Sequence, residues 1–391
     1  RPGQETTRAE LTALFSTRPL VLLEAPTGFG KTGVLLEFAL DQLRSGHFDR
    51  ALYLTGKSTG QLQVLRTLAD MTADGAAGGT PVAAWQVRNK AEHCVNATFH
   101  CLRETCGYLD GAAARWPASG LARFYLDEHH ARDLPALRDA GRDARICPYE
   151  ITRAALAFHD LWIGDYNYVF APRNRTLFQE QPGFDPARTL LIVDEAHNLP
   201  ARVADAHSHA FTATAAFGVR EDLHRVRAGA GLTGAWDHWC YFLHGLRVNA
   251  GLTAGDEDDA RHLLGEIARH LGSTGVDFAA LGPQTADALW SVPALLEEVG
   301  RGGGEGALPR LWWSPRDSEL SLTCLDAGTA IGGILRGFGG VVLASATLSP
   351  VDGFAAACGL DAPPEAVVAP PATAAPERLG ALNKRETRKL F

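Results

Sequence analysis

The chain has 391 residues, 46% of them hydrophobic and 21% charged, with 37 Lys/Arg against 45 Asp/Glu for a net charge of −8. This is the make-up of a globular chain long enough for two or more domains, and its negative balance excludes coating of nucleic acid by bulk attraction, leaving only local patches for such contact. No run of ~18 apolar residues is present and no signal peptide opens the chain, so neither a membrane span nor secretion is predicted.

Seven cysteines in a chain of this kind predict metal ligands or free thiols rather than a disulfide framework, in keeping with a cytoplasmic, intracellular protein. The chain opens at Arg1 and its one methionine is Met71, which predicts a piece of a longer or processed protein.

A short helical stretch, Arg8 to Phe15, follows Arg1-Pro-Gly-Gln4. Leu20 to Leu23 reads as a buried strand. Ala25, Pro26, Thr27, Gly28, Phe29, Gly30, Lys31 and Thr32 come next, and helical spacing resumes at Val34, Leu35, Phe38 and Leu43, with Gly46 as a stop. Strand, glycine loop, Gly-Lys-Thr and helix is the order of a P-loop, whose backbone N–H groups and helix N-terminus cradle phosphates. In that reading Lys31 reaches the β/γ-phosphates and the Thr32 hydroxyl binds Mg²⁺. Ala25 stands where the usual pattern has its first glycine. Gln4, upstream of the loop, has the donor and acceptor to bind an adenine edge.

Ala51 to Thr55 reads as a second strand, with Thr55, Ser58, Thr59 and Gln61 at its C-terminal end, where open α/β sheets carry function. Residues Thr80 to Glu150 then interrupt the α/β rhythm. Cys94, Cys101 and Cys106 are spaced Cys-x₆-Cys-x₄-Cys, and Cys147 opens Cys147-Pro-Tyr-Glu150. Four thiolates suit an iron–sulfur cluster or a structural zinc, and unrelated buried cysteines are a third reading. The absence of a tight Cys-x₂-Cys pair and the Cys-Pro step favour the cluster. His93 and His100 read as surface residues, with zinc ligation as the other option. Pro148 suits the first position of a helix through Phe158.

Strand character resumes in Asp160 to Tyr168, which then turns polar and aromatic. Leu190 to Val193 is a short apolar strand, delivering Asp194, Glu195 and His197 at its C-terminal end. After a P-loop, such a first carboxylate holds Mg²⁺ and the next orients the attacking water. Val203 to Leu308 reads as mostly helical. Ala260, Leu263, Leu264, Ile267, Ala268 and Leu271 keep helical spacing, Trp236, Trp239 and Phe242 form another stripe, and both read as helix-packing core. Gly302 to Gly306 reads as a flexible linker and Glu319 to Cys324 as a strand. Gly339 to Pro350 reads as a buried strand ending in hydroxyls. The Ala/Pro-rich tail, 361–391, carries Lys384, Arg385, Arg388 and Lys389.

Together these residues resemble the XPD/DinG family of superfamily-two DNA helicases. The resemblance rests on Arg1-Pro-Gly-Gln4, Ala25-Pro-Thr-Gly-Phe-Gly-Lys-Thr32, the four cysteines, Asp194-Glu-Ala-His197 and Ser345-Ala-Thr-Leu-Ser-Pro350, in that order. It implies an α/β fold: a RecA-like P-loop parallel sheet flanked by helices, formed by 1–85, 151–202 and 310–360. It also implies a cluster insertion at 86–150 and a helical arch at 203–309. The tail is then an end or the truncated start of a second motor domain, which this chain has no room to complete. Family members use ATP and Mg²⁺, carry a 4Fe–4S cluster, here on Cys94, Cys101, Cys106 and Cys147, and move 5′ to 3′ on single-stranded DNA or forks. By resemblance, His197 links the nucleotide site to Ser345 and Thr347, which couple hydrolysis to DNA movement.

Two departures follow. The 40 residues between Cys106 and Cys147 imply an extra loop, Trp116 to Arg145. Without the second motor domain's arginine, worth ~10³ or more in rate, the chain alone should turn ATP over poorly. Arg88, Lys90, Arg103 and Arg123, with Trp116, Phe124 and Tyr125, are candidate phosphate contacts and stacking platforms. Arg88 to Arg153 nevertheless holds ten Lys/Arg against nine Asp/Glu, as an ordinary mixed surface does. Two rival readings remain. One is a non-catalytic nucleotide switch or scaffold, opposed by the intact Lys31, Asp194 and Glu195. The other is an RNA helicase, which the ATPase motifs do not distinguish.

Overall fold

A computed structural model describes residues 2–72, 82–103, 105–126, 132–300, 307–361 and 364–370. The glycine linker 302–306 and the basic tail residues Lys384, Arg385, Arg388 and Lys389 lie outside the described residues.

Seven parallel strands form the main sheet: β1 (Leu20–Glu24), β2 (Arg50–Leu54), β3 (Ala84–Gln86), β4 (Leu161–Gly164), β5 (Thr189–Asp194), β9 (Gly340–Ser345) and β10 (Ala366–Val368), in the order β10-β1-β9-β5-β2-β4-β3. β1, β2, β4, β5 and β9 are near-continuous apolar runs, as strands covered on both faces must be. Leu22, Leu23, Leu52, Leu191, Ile192 and Val342 are fully buried, each contributing about 1.5–3 kcal/mol. Helices α1 (Pro2–Phe15), α2 (Lys31–Arg44) and α3 (Ser58–Thr72) accompany the first two strands. Thr55 to Gln61, expected as a functional loop, is therefore mostly the start of α3. The Thr55 hydroxyl donates to the Lys57 carbonyl at 2.8 Å, and Gln61 is buried against Gln86.

A three-stranded antiparallel sheet carries the second core. It comprises β6 (His209–Thr212), β7 (Arg310–Trp313) and β8 (Glu319–Cys324), ordered β6-β8-β7. The helices 213–225, 230–245, 254–273 and 283–300 pack with it. Residues 310–324, which the sequence groups with the parallel sheet, thus pair with β6, and Trp312, Leu320 and Leu322 are buried in the helical core. The alternation of β8, apolar on one face only, is the pattern of a half-covered antiparallel strand. Trp236 and Trp239 are core residues, and the Trp236 indole donates to the Ala216 carbonyl at 2.9 Å.

The segment 86–150 is built from short helices and turns. Pro148 opens the helix 148–156 as expected. His93 is not a surface residue. It is 1% exposed, its two ring nitrogens meet the Asn89 carbonyl (2.9 Å) and the Thr152 hydroxyl (3.0 Å), and its ring packs edge-on to Tyr149. His100 is half-buried.

Candidate nucleotide site and cysteine insertion

The loop after β1 reaches α2 through Gly28 (φ 82°) and Gly30 (φ 93°), both in the left-handed region that favours glycine. In the first turn of α2 the Gly33 N–H donates to the Gly30 carbonyl at 3.0 Å, while the N–H groups of Lys31 and Thr32 come before any intrahelical acceptor and can serve a ligand. The Ala25 methyl is buried against Phe29, Val34 and Ala369, so packing occupies the place of the usual glycine. The Gln4 amide, carried on α1, donates to the Phe29 carbonyl at 2.6 Å, which brings it against this loop.

Lys31 lies at the loop's end. Its ammonium donates to the Ala25 carbonyl (3.2 Å) and stands 3.6 Å from Glu195 Oε1. Asp194 and Glu195 arrive from the next strand but one, since β9 lies between β1 and β5 and pairs with both. Asp194 is 8% exposed. Burial pushes its carboxyl up, while the Tyr53 hydroxyl, donating to Oδ2 at 3.0 Å, opposes this. The Glu195 N–H holds Oδ1 at 2.9 Å. Burial and the neighbouring Asp194 charge hold Tyr53 far above the ordinary tyrosine range, so it is a fixed donor. The Thr32 side chain hydrogen-bonds the same Tyr53 hydroxyl. Thr32 and Asp194 therefore share one partner, an arrangement that fits a magnesium ion on both.

Glu195 adopts φ 54°, an uncommon value for a non-glycine residue. The Tyr166 hydroxyl donates to the carbonyls of both Asp194 and Glu195 and braces this turn. His197 Nδ1 lies 2.7 Å from the Ser345 hydroxyl and 3.5 Å from Glu195 Oε2. Ser345 is fully buried at the end of β9, and its Oγ accepts the Thr347 N–H at 3.4 Å. The fold thus brings Lys31, Asp194, Glu195, His197 and Ser345 together at the C-terminal ends of the interior strands β1, β9 and β5. Sequence reasoning missed Tyr53 and Tyr166. Tyr53 sits in an otherwise apolar strand run, and that lone hydroxyl was the available signal. A cavity of about 970 Å³ in the helical unit, lined by Trp236, Asp222 and Thr285, contains none of the motif residues.

The four insertion cysteines are all free thiols. Cys101 feels the charges of Cys94 and Cys106, and Cys147 that of Cys101, so they share a neighbourhood. Burial pushes the Cys147 thiol up to about 11, against the backbone amides of Tyr149 and Glu150, which lower it. The Asn96 amide donates to Cys106 Sγ at 3.4 Å. Sulfur donors with amide partners fit iron or zinc in kind. Among the described residues, however, no three His, Cys, Asp or Glu side chains have metal-holding spacing.

Of the proposed stacking platforms, Phe124 is 3% exposed and belongs to the core, because the apolar face of its short helix turns inward. Tyr125 stacks on Phe158 at 4.8 Å, and its hydroxyl accepts the Trp116 indole N–H at 3.3 Å. Arg88 pairs with Glu92 at 3.1 Å, Lys90 lies over the Tyr149 ring and Arg123 over Phe124, while Arg103 is exposed. No helix among the described residues is long and apolar enough to cross a membrane.

Comparison with known proteins gives a consistent result. Residues 81–215 match the DEAD_2 family model. The XPD helicase subunit of general transcription and DNA repair factor IIH from Arabidopsis thaliana is 21% identical over 288 residues, 66% of this chain and 38% of that protein. The Fanconi anemia group J protein homolog of Gallus gallus is 22% identical over 55% of this chain and 15% of its own length. A regulator of telomere elongation helicase 1 homolog of Oryza sativa subsp. japonica is 41% identical over 20% of this chain and 7% of its own. Among solved structures, an XPD helicase superposes with TM-score 0.63 at 15% identity, covering 94% of this chain and 62% of that one. A truncated XPD gives 0.61 at 16%, covering 93% and 98%. The chain therefore has the RecA-like fold of these helicases and spans 38% of the Arabidopsis relative.

Proposed function

We propose, from family, sequence and structural matches that point to the XPD/DinG-type superfamily-two helicases, that this chain is the first motor unit of an ATP-dependent DNA helicase. The observation that supports this most is the convergence of Lys31, Asp194, Glu195, His197 and Ser345 at the C-terminal ends of β1, β9 and β5. Lys31 and the first-turn amides of α2 bind the phosphates. Thr32 and Asp194 would hold Mg²⁺, which supplies charge neutralisation of the triphosphate. Glu195 orients the attacking water, and Gln4 contributes beside the loop to nucleotide binding. His197 passes the state of that site to Ser345 and Thr347. Cys94, Cys101, Cys106 and Cys147 would hold a 4Fe–4S cluster that stabilises the insertion beside the DNA strand. Travel from 5′ to 3′ on single-stranded DNA, and strand separation with a second motor domain, are proposed for the full-length gene product.

The test is Glu195→Gln in the full-length gene product. ATP binding should persist and turnover should fall by at least about 100-fold. Hydrolysis at the parent rate would refute the water-orienting role. Stimulation of the parent by single-stranded DNA over RNA separates a DNA from an RNA motor, and no turnover under any condition would leave a nucleotide switch.

A further inference from the structure

Glu24 is the last residue of β1, immediately before the phosphate loop. It pairs with Ser345 on one side and Val368 on the other. A carboxylate at the end of an apolar strand needs a partner. Among the described residues Glu24 forms no ion pair. Instead one oxygen, Oε2, accepts three hydrogen bonds: from the Leu348 N–H (2.9 Å), the Ser349 N–H (2.8 Å) and the Ser349 hydroxyl (2.9 Å).

These donors belong to the turn that follows Ser345 and Thr347. That turn is held at two points. At its start Ser345 meets His197, and at its end it is gripped by Glu24. Glu24 is also one bond from the loop itself. The Ala25 N–H donates to the Ser345 carbonyl at 2.9 Å, and the Ala25 carbonyl accepts the Lys31 ammonium. A shift of the turn must therefore move either Glu24 or the hydrogen bonds it accepts. Hydrogen bonds to an ionised acceptor are the strong ones, so the grip is stiff.

We infer that Glu24 is a positioning residue that fixes the Ser345–Ser349 turn to the phosphate loop, so that nucleotide state and the proposed strand movement stay in step. This rests on the helicase reading above. The role assigned to Glu24 runs through the turn that it grips.

The experiment compares Glu24→Ala and Glu24→Gln with the parent. First, hydrogen exchange is read on the amides of Leu348 and Ser349 in this chain. Both should exchange faster in Glu24→Ala and be partly rescued in Glu24→Gln, which keeps an acceptor oxygen but not the charge. Unchanged exchange overturns the inference whatever the protein does. Second, in the full-length gene product, kcat with single-stranded DNA should fall about tenfold in Glu24→Ala, the size expected of a coupling residue, with KM for ATP nearly constant. Strand separated per ATP should fall further. A KM that rises as much as kcat falls would make Glu24 a mere support of the phosphate loop and overturn the coupling role. A parent without nucleic-acid-stimulated turnover overturns the helicase reading and the coupling role with it, while the exchange result still reports on the grip.

Discussion

The candidate nucleotide site and the cysteine-bearing segment are built in opposite ways. At the former, strands β2, β5 and β9 deliver Tyr53, Asp194 and Ser345 from a fully packed sheet, and each polar group already has a partner. In the insertion, Cys94 caps a four-residue helix, Cys101 is exposed on a turn, and only Cys147 opens a longer helix. A parallel sheet pre-forms its site because its strands are fixed by burial elsewhere. A site hung on turns depends on its ligand, since the free energy of metal binding is there folding free energy.

The sharpest test of that contrast is the loss of the proposed cluster. Anaerobically purified protein should hold about four irons per chain and absorb broadly near ~400 nm. Cys147→Ser should bleach it and speed hydrogen exchange across residues 94–126, while β1 and β5 keep their protection. Cys240→Ser, Cys324→Ser and Cys358→Ser should retain the iron. One zinc and no iron would sink the cluster assignment, and equal loosening of β5 would erase the contrast.

A second pre-formed constellation lies where the helical unit begins and ends. Glu298 Oε1 meets His207 Nδ1 at 2.7 Å, Oε2 meets His209 Nε2 at 2.9 Å, and Arg310 donates to the Glu298 carbonyl at 2.9 Å. Burial pushes the Glu298 carboxyl up, but the two histidines outweigh it and bring it down to about 2 from an ordinary 4.5. A carboxyl lowered by folding stabilises above its unfolded value and loses that contribution as pH falls through the folded one. Between pH 4.5 and 2 the loss should approach about 3 kcal/mol. Glu298→Gln should flatten that part of the stability–pH curve, as read by urea unfolding. An unaltered slope would mean that the histidines do not hold the carboxylate.

The smallest effect is expected from Tyr53→Phe. Removing the donor to a buried carboxylate oxygen should cost about 1–3 kcal/mol in magnesium-free unfolding. If Asp194 needed no internal partner, the variant would unfold like the parent.

These tests also mark what the sequence could say. Lys31, Asp194 and Glu195 were legible because a strand pattern flanks each motif, and strand ends in a parallel sheet have few places to go. Pairing was not legible. β8 alternates clearly, yet nothing in residues 310–324 tells that they join β6 rather than the parallel sheet, because partner choice is set by packing across a hundred residues. His93 was misread for a similar reason. A polar residue beside cysteines looks exposed until Thr152, 59 positions away, supplies its partner. Phe124 fell to the same long-range packing.

The strand order also bears on synthesis. β1 leads into the candidate phosphate loop, yet both of its neighbours, β9 and β10, come from the far end of the chain, with Leu20 beside Val341. At about 5–20 residues per second, a ribosome needs roughly 15–60 s to make that stretch. Throughout that time Leu20 to Leu23 has no sheet partner and remains a sticky apolar segment on the nascent chain. A chain stalled before Gly340 should therefore be captured by a holding chaperone and cut readily by protease around the phosphate loop, and release past Leu348 should abolish both.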